Sequence, residues 1–141
     1  MSSERQDAVS ELKHAERFSD LAVYHKAYQL AMDIFHLTKQ FPKEEMYALT
    51  DQIRRSSRSI GAQIAEAWAK RRYEKSFINK LTDADGEQME TCHWIQIACD
   101  CGYIGGKQRA LLKAQSEEIG RMLAGMIFKS NKFCQAKNSV N

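Results

Sequence analysis

Two Glu-x-x-His pairs, Glu11-x-x-His14 and Glu90-x-x-His93, are the residues of this chain whose spacing could support metal chemistry. A carboxylate and an imidazole three residues apart share a helix face. In helical bundles, two such pairs plus carboxylates from the other helices can hold a di-metal centre. Here the other carboxylates do not converge: the first apolar run offers only Asp33 and the second has Glu66 as its internal acid, and the pair at 11–14 sits in a polar stretch outside the apolar runs. No metal site and no cofactor is therefore expected. Nucleophilic chemistry has as little to build on, because the chain has neither a Gly-x-Ser-x-Gly elbow nor a Gly-rich phosphate loop. Cys92 and His93 are neighbours in sequence and so point in different directions on a helix. The chain is read as non-enzymatic, with no catalytic residues. A metal-dependent enzyme, the reading this sets aside, would require metal that stays bound through purification.

The four cysteines, Cys92, Cys99, Cys101 and Cys134, contain no Cys-x-x-Cys pair, so neither a zinc knuckle nor a thioredoxin-like motif is present. They are expected to be small, buried apolar residues of a reducing compartment. The charges say more. Residues 52–80 carry eight basic groups (Arg54, Arg55, Arg58, Lys70, Arg71, Arg72, Lys75 and Lys80) against two acids, Glu66 and Glu74, a net of +6. Residues 81–104 carry five acids (Asp83, Asp85, Glu87, Glu90 and Asp100) and no Lys or Arg. Such polarity either balances within and between subunits or presents a basic surface to phosphates. The whole chain is mildly basic, with a net charge of +3 and a pI near 8.7.

These groups need a scaffold, and the apolar spacing predicts one. Val23, Ala27, Leu30, Ile34, Leu37 and Phe41 alternate steps of four and three, the seam of a first helix that Asp20 can cap and Pro42 ends. Met46, Leu49, Ile53, Ser57, Ile60, Ile64 and Trp68 mark a second, whose first residue lies somewhere between Pro42 and Thr50 and whose end is the basic cluster at 70–72. Phe77, Leu81, Ala84, Gln88, Cys92, Ile95 and Cys99 mark a third, stopped at Gly102, and after Gly105-Gly106 a fourth uses Leu112, Ile119, Met122, Met126 and Phe133. Helices of ~25 residues span ~37 Å, and short connections make neighbours antiparallel. The fold class expected is all-α, an antiparallel up-down-up-down four-helix bundle over residues 18–133. Polar tails flank it at 1–17 and 134–141. No segment reaches the ~18 apolar residues of a membrane span, and the N-terminus has no apolar signal stretch, so a cytoplasmic protein with no membrane partner is expected.

Several spaced motifs carry a resemblance. They are Phe18-x-x-Leu21-x-Val23-x-x-Lys26-Ala27, Phe41-Pro42-Lys43-Glu44-Glu45-x-Tyr47-x-Leu49-Thr50-x-Gln52-Ile53-Arg54-Arg55, Ser59-Ile60, Ile64-Ala65-Glu66, Ala84-x-Gly86, Glu90 and Gly102-Tyr103-Ile104. Over residues 18–128 the chain resembles the bacterial four-helix-bundle proteins encoded in intervening sequences of 23S ribosomal RNA genes. That family is similar in turn to the accessory variability proteins of diversity-generating retroelements. The resemblance implies a ring-like homopentamer and a role in binding nucleic acid or a nucleic-acid enzyme. Three positions depart from the family pattern: Ala67 replaces a usual Gly, Asp85 a basic or small residue, and Glu87 a Ser. The two acidic residues argue against direct phosphate contact by the third helix.

The function expected is a homo-oligomeric adaptor, a pentamer by resemblance, that associates with RNA or DNA or with a nucleic-acid-processing protein such as a reverse transcriptase. A protein-only scaffold is the alternative. Lys70, Arg71, Arg72 and Lys75 sit at a helix end that stays accessible after assembly, so they are the expected phosphate contacts. Arg54, Arg55 and Arg58 are mid-helix and are expected to be structural, with Glu66 and Glu90 as partly buried carboxylates paired to arginines or backbone donors. Tyr24, Tyr28, Phe35, Trp68, Trp94, Ile97 and Met126 exceed what one small bundle would cover. Of these, Tyr24, Tyr28, Trp68 and Trp94 are the expected aromatic anchors of subunit interfaces.

Overall fold

The protein was examined as a computed structural model that describes residues 15–134. The described residues are all-helical: four long helices and one short one, with no strand. We label them α1 (Ala22–Thr38), α2 (Asp51–Ala69), α3 (Glu74–Asp100), α4 (Gly106–Phe128) and α5 (Ser130–Phe133). Helix α1 packs on α2, α2 on α3 and α3 on α4, while α4 returns to α1; the short α5 rests on α3 and α4. The core therefore lies among these four helices. Most of the tails expected at 1–17 and 134–141, with the Glu11–His14 pair, falls outside the described residues. Ala15, at the end of the first tail, is partly buried against the core.

The start of α1 departs from the sequence expectation. Asp20 does not cap it: its carboxylate turns back to accept the N–H groups of Glu16 and Arg17, both at 3.0 Å, and so secures the 3-10 turn Phe18–Asp20. Helix α1 also ends four residues before Pro42. Thr38, not Leu37, is the fully buried residue of the last turn, because its hydroxyl donates to Ile34 O at 2.8 Å and leaves no polar group unpaired. A 3-10 turn at Lys43–Glu45 and a π-helical turn at Met46–Thr50 then lead into α2. The wider π turn breaks the helical period, so Met46 is exposed although the spacing back from Ile53 places it on the seam.

Beyond that point the seam of α2 runs as expected: Leu49, Ile53, Ser57, Ile60, Ile64 and Trp68 are buried. In α3 the buried line is Phe77, Leu81, Ala84, Gln88, Thr91, Ile95 and Ala98, while Cys92 and Cys99 stand half-buried beside it. Thr91 can occupy the seam because it shares a 2.9 Å hydrogen bond with buried Ser56 of α2 and donates to Glu87 O at 2.8 Å. Gly102, at φ +82°, ends α3 in a left-handed conformation that a residue with a Cβ adopts at a cost. There Tyr103 N–H bonds Ala98 O and Gly102 N–H bonds Cys99 O, closing the last carbonyls. Of the cysteines, Cys134 is buried but Cys101 is exposed, against the expectation for it; none of the four is held in a disulfide.

Candidate nucleic-acid interface

The two arginine clusters separate sharply in their surroundings. Arg55 crosses from α2 to α3, with its guanidinium 2.5 Å from Glu90 and 3.7 Å from Glu87. Burial raises the Glu87 carboxyl above the ordinary range, with Arg55 partly opposing it. Glu90 also accepts Trp94 Nε1–H at 3.0 Å. Arg54 donates from Nε to Thr38 Oγ1 at 2.8 Å and lies over the Phe35 ring at 5.1 Å, joining α2 to α1. Arg58 stands 5.7 Å from the same ring. Glu66 is a surface partner of Lys80 at 3.5 Å. The opposed charge of the second and third runs is thus balanced, for Arg55, Glu87 and Glu90, within a single chain.

The cluster at the end of α2 is different. Lys70, Arg72 and Lys75 are exposed and form no salt bridge among the described residues. Arg71 is the exception and corrects the expectation of four equivalent cations. Its guanidinium stacks 3.6 Å over Trp68 and its Nε donates to Trp68 O at 2.9 Å. Burial lowers its pKa, yet a guanidinium stays charged at any physiological pH. Arg71 therefore serves first as a lid on Trp68.

The anchors expected at subunit interfaces divide as well. Trp68 is 8% exposed and Met126 1%, so both are spent on the chain's own core. Trp68 meets Phe133 of α5 edge-on at 6.3 Å, and Phe133 stacks on Phe77 at 6.0 Å. Trp68 and Met126 belong both to the expected seams and to the residues expected at interfaces, and the structure decides for the seam; the helix breaks at Lys129, and the short α5 carries Phe133 against Trp68. Tyr24 and Trp94 are partly buried against the core. Tyr28 remains 56% exposed. With Phe18, Tyr24, Ala31, Met32 and Arg58 it lines a groove of about 380 Å³ between α1 and α2. A second, basic groove of about 490 Å³ continues past Arg58 to Arg54, Arg55 and Asp51.

The sequence reading missed four residues at the α5 end: Tyr73, Phe128, Lys129 and Lys132. Ser130 Oγ donates to Glu74 Oε2 at 2.7 Å, which brings the α4–α5 junction beside the start of α3. The signal was present as an aromatic adjoining a cation at each of two helix boundaries, Arg72-Tyr73 and Phe128-Lys129. For the Glu90–His93 pair, Glu90 is taken up by Arg55 and Trp94, while the exposed His93 ring packs on Trp94 at 4.7 Å. Among the described residues no group of three or more His, Cys, Asp or Glu gathers to hold a metal ion. Nor is any described helix long and apolar enough to cross a membrane.

The family model for the 23S rRNA-intervening sequence protein matches residues 19–125, which takes in α1 to α3 and most of α4. The chain belongs to that family. A crystal structure of a protein of unknown function from the S23 ribosomal protein family, from Bacteroides thetaiotaomicron VPI-5482, superposes with a TM-score of 0.69 at 33% identity. The match covers 75% of this chain and 98% of that one. No curated protein matches. The family match ends short of Phe128, Lys129 and α5.

Proposed function

We propose that this chain is a non-enzymatic, homo-oligomeric adaptor that associates with nucleic acid or with a nucleic-acid-processing partner such as a reverse transcriptase. The observation that carries this reading is the contrast between its cations. Arg54 and Arg55 are consumed in holding α1, α2 and α3 together, whereas Lys70, Arg72 and Lys75 stand exposed without a carboxylate partner among the described residues. Leaving several like charges unpaired at one end has a cost in self-repulsion that an anionic partner would relieve. The protomer is read as an antiparallel, up-down-up-down four-helix bundle, which the short links at 70–73 and 101–105 support. Family membership supports the ring of five, and the resemblance to retroelement accessory proteins is what suggests a reverse transcriptase as partner. In such a ring, Tyr28 and the groove around it form a natural seat for a second copy. Five protomers at +3 each would carry a formal +15, enough for salt-dependent binding.

The test is retention on RNA and DNA across a salt series, with light scattering on the same samples. Replacing Lys70, Arg72 and Lys75 with Gln is expected to weaken binding across sequences and to flatten the salt slope, while the oligomer survives. A wild-type protein that is not retained even at low salt leaves the protein-only scaffold as the reading. A 16 kDa species at micromolar concentration would remove the ring.

A further inference from the structure

Two grooves of unlike chemistry are cut into the helical body. On the α1–α2 side, Phe18, Tyr24, Tyr28, Met32 and Arg58 line a mainly apolar groove of about 380 Å³. Gly61 lets Tyr24 lie close on α2 there, since a Cβ would stand 3.4 Å from the ring. Tyr28 is 56% exposed, and the exposed Arg58 forms no salt bridge among the described residues. On the α3–α4 side, Asp85, Met89, Glu117, Gly120 and Arg121 line a groove of about 430 Å³. Met89 is 59% exposed. Gly120 makes room for the acid, because a Cβ would fall 3.2 Å from Asp85 Oδ1 and 2.9 Å from Gln88 Nε2. Glu117 is exposed and likewise outside any salt bridge among the described residues.

The two grooves share no helix, yet they stand level. Ser56 meets Thr91 and, further along α2, Glu66 meets Lys80. Helix α3 therefore runs down as α2 runs up, and Arg58 comes level with Met89. One side offers aromatic rings and a guanidinium that lacks a carboxylate. The other offers a thioether and two carboxylates against one cation. Methionine is unbranched and polarizable, and its sulfur packs well on aromatic rings. Contact between like faces would instead bring the same charges together, which disfavours it. A second copy in the same orientation presents the complementary face at the right height.

We propose that the α1–α2 groove receives the α3–α4 face of a second copy of this chain. Met89 enters among Tyr24, Tyr28 and Met32, and the carboxylates of Asp85 and Glu117 meet Arg58. This rests on the homo-oligomeric reading and adds which faces meet. Contact between unlike faces is head-to-tail, so every added copy leaves one face of each kind open until a ring closes.

The test uses two full-length variants that each spoil one face at an exposed position, Tyr28→Asp and Met89→Asp. Circular dichroism melts check that both fold as wild type does, and light scattering at micromolar concentration gives the mass. Wild type is expected well above 16.2 kDa, and each variant alone at that mass. An equimolar mixture should reach twice the mass of either variant, because the intact Met89 of one seats in the intact groove of the other. Arg58→Glu and Glu117→Arg should each weaken assembly at least tenfold, and the two together in one chain should recover part of the loss. A wild-type oligomer with both variants still assembled overturns the contact and leaves the oligomer standing. So does a mixture that stays at the mass of its components, which would mean that like faces meet. Wild type at 16.2 kDa throughout overturns both readings and leaves the groove to a foreign partner.

Discussion

The buried contact between Ser56 and Thr91 offers the most direct check on how α2 and α3 are registered. Both residues are fully buried and their hydroxyl oxygens lie 2.9 Å apart. Thr91 already donates to Glu87 O, so the shared proton comes from Ser56. Removing either hydroxyl leaves the other group short of a partner: Thr91→Val returns Ser56 to a longer 3.3 Å bond with Ile53 O, and Ser56→Ala deprives Thr91 of its donor. Each single change is expected to cost about 1 kcal/mol, the typical net worth of such a bond. Removing both groups together leaves no orphan. The double variant should therefore lose about 1 kcal/mol, against the roughly 2 kcal/mol of simple addition. Urea unfolding followed by far-ultraviolet circular dichroism, at one fixed protomer concentration, measures all four proteins. Additivity to within about 0.3 kcal/mol would refute the contact and with it the register of α2 against α3.

Other expectations follow from the same packing. Ile60 is 0% exposed on the α2 seam, so Ile60→Asp should cost several kcal/mol or prevent folding, seen as a lost or much lowered melting transition. Tyr103 donates to Glu45 at 2.6 Å, a bond that pushes its pKa from 10.0 to about 12. The raised value means that its contribution is complete below pH 10 and disappears as pH rises through 12. The melting advantage of wild type over Tyr103→Phe should shrink across that window; an advantage unchanged at pH 12 would contradict the assignment. Arg71→Lys keeps the charge but gives up the flat stack and the bond to Trp68 O, so Trp68 fluorescence should shift to the red while Trp94 is unaffected.

Much of the helix layout was legible because the apolar period is strong. The α2 seam from Leu49 to Trp68 matched residue by residue. In α3 the expected line left the strict spacing at two positions, naming Cys92 and Cys99 in place of the buried Thr91 and Ala98. A strict alternation of four and three steps selects Thr91 and Ala98. The hydroxyl of Thr91 is affordable only because Ser56, far away in sequence, meets it. Buried Ser116 escaped notice for the same reason: its hydroxyl bonds Gln88 O at 3.1 Å and Gln88 Oε1 at 2.8 Å. Arg55 and Glu90 were legible as structural residues, although not as each other's partners. Arg71 could not be told from Lys70 and Arg72 by sequence, since its stack depends on the face that Trp68 turns outward. The break between α4 and α5 at Lys129 was not legible in the apolar spacing, which carries Phe133 on as part of the fourth run.

The late position of Phe133 has a consequence for biosynthesis. A chain that emerges N-terminus first can pair α1 with α2 and α2 with α3 as each appears. Trp68 and Phe77 must nevertheless wait until α5 leaves the ribosome before Phe133 covers them. For that interval the nascent chain displays an open aromatic end, a surface suited to chaperones. Translation that stops before Ser130 would leave this end permanently uncovered, marking the shortened product for degradation.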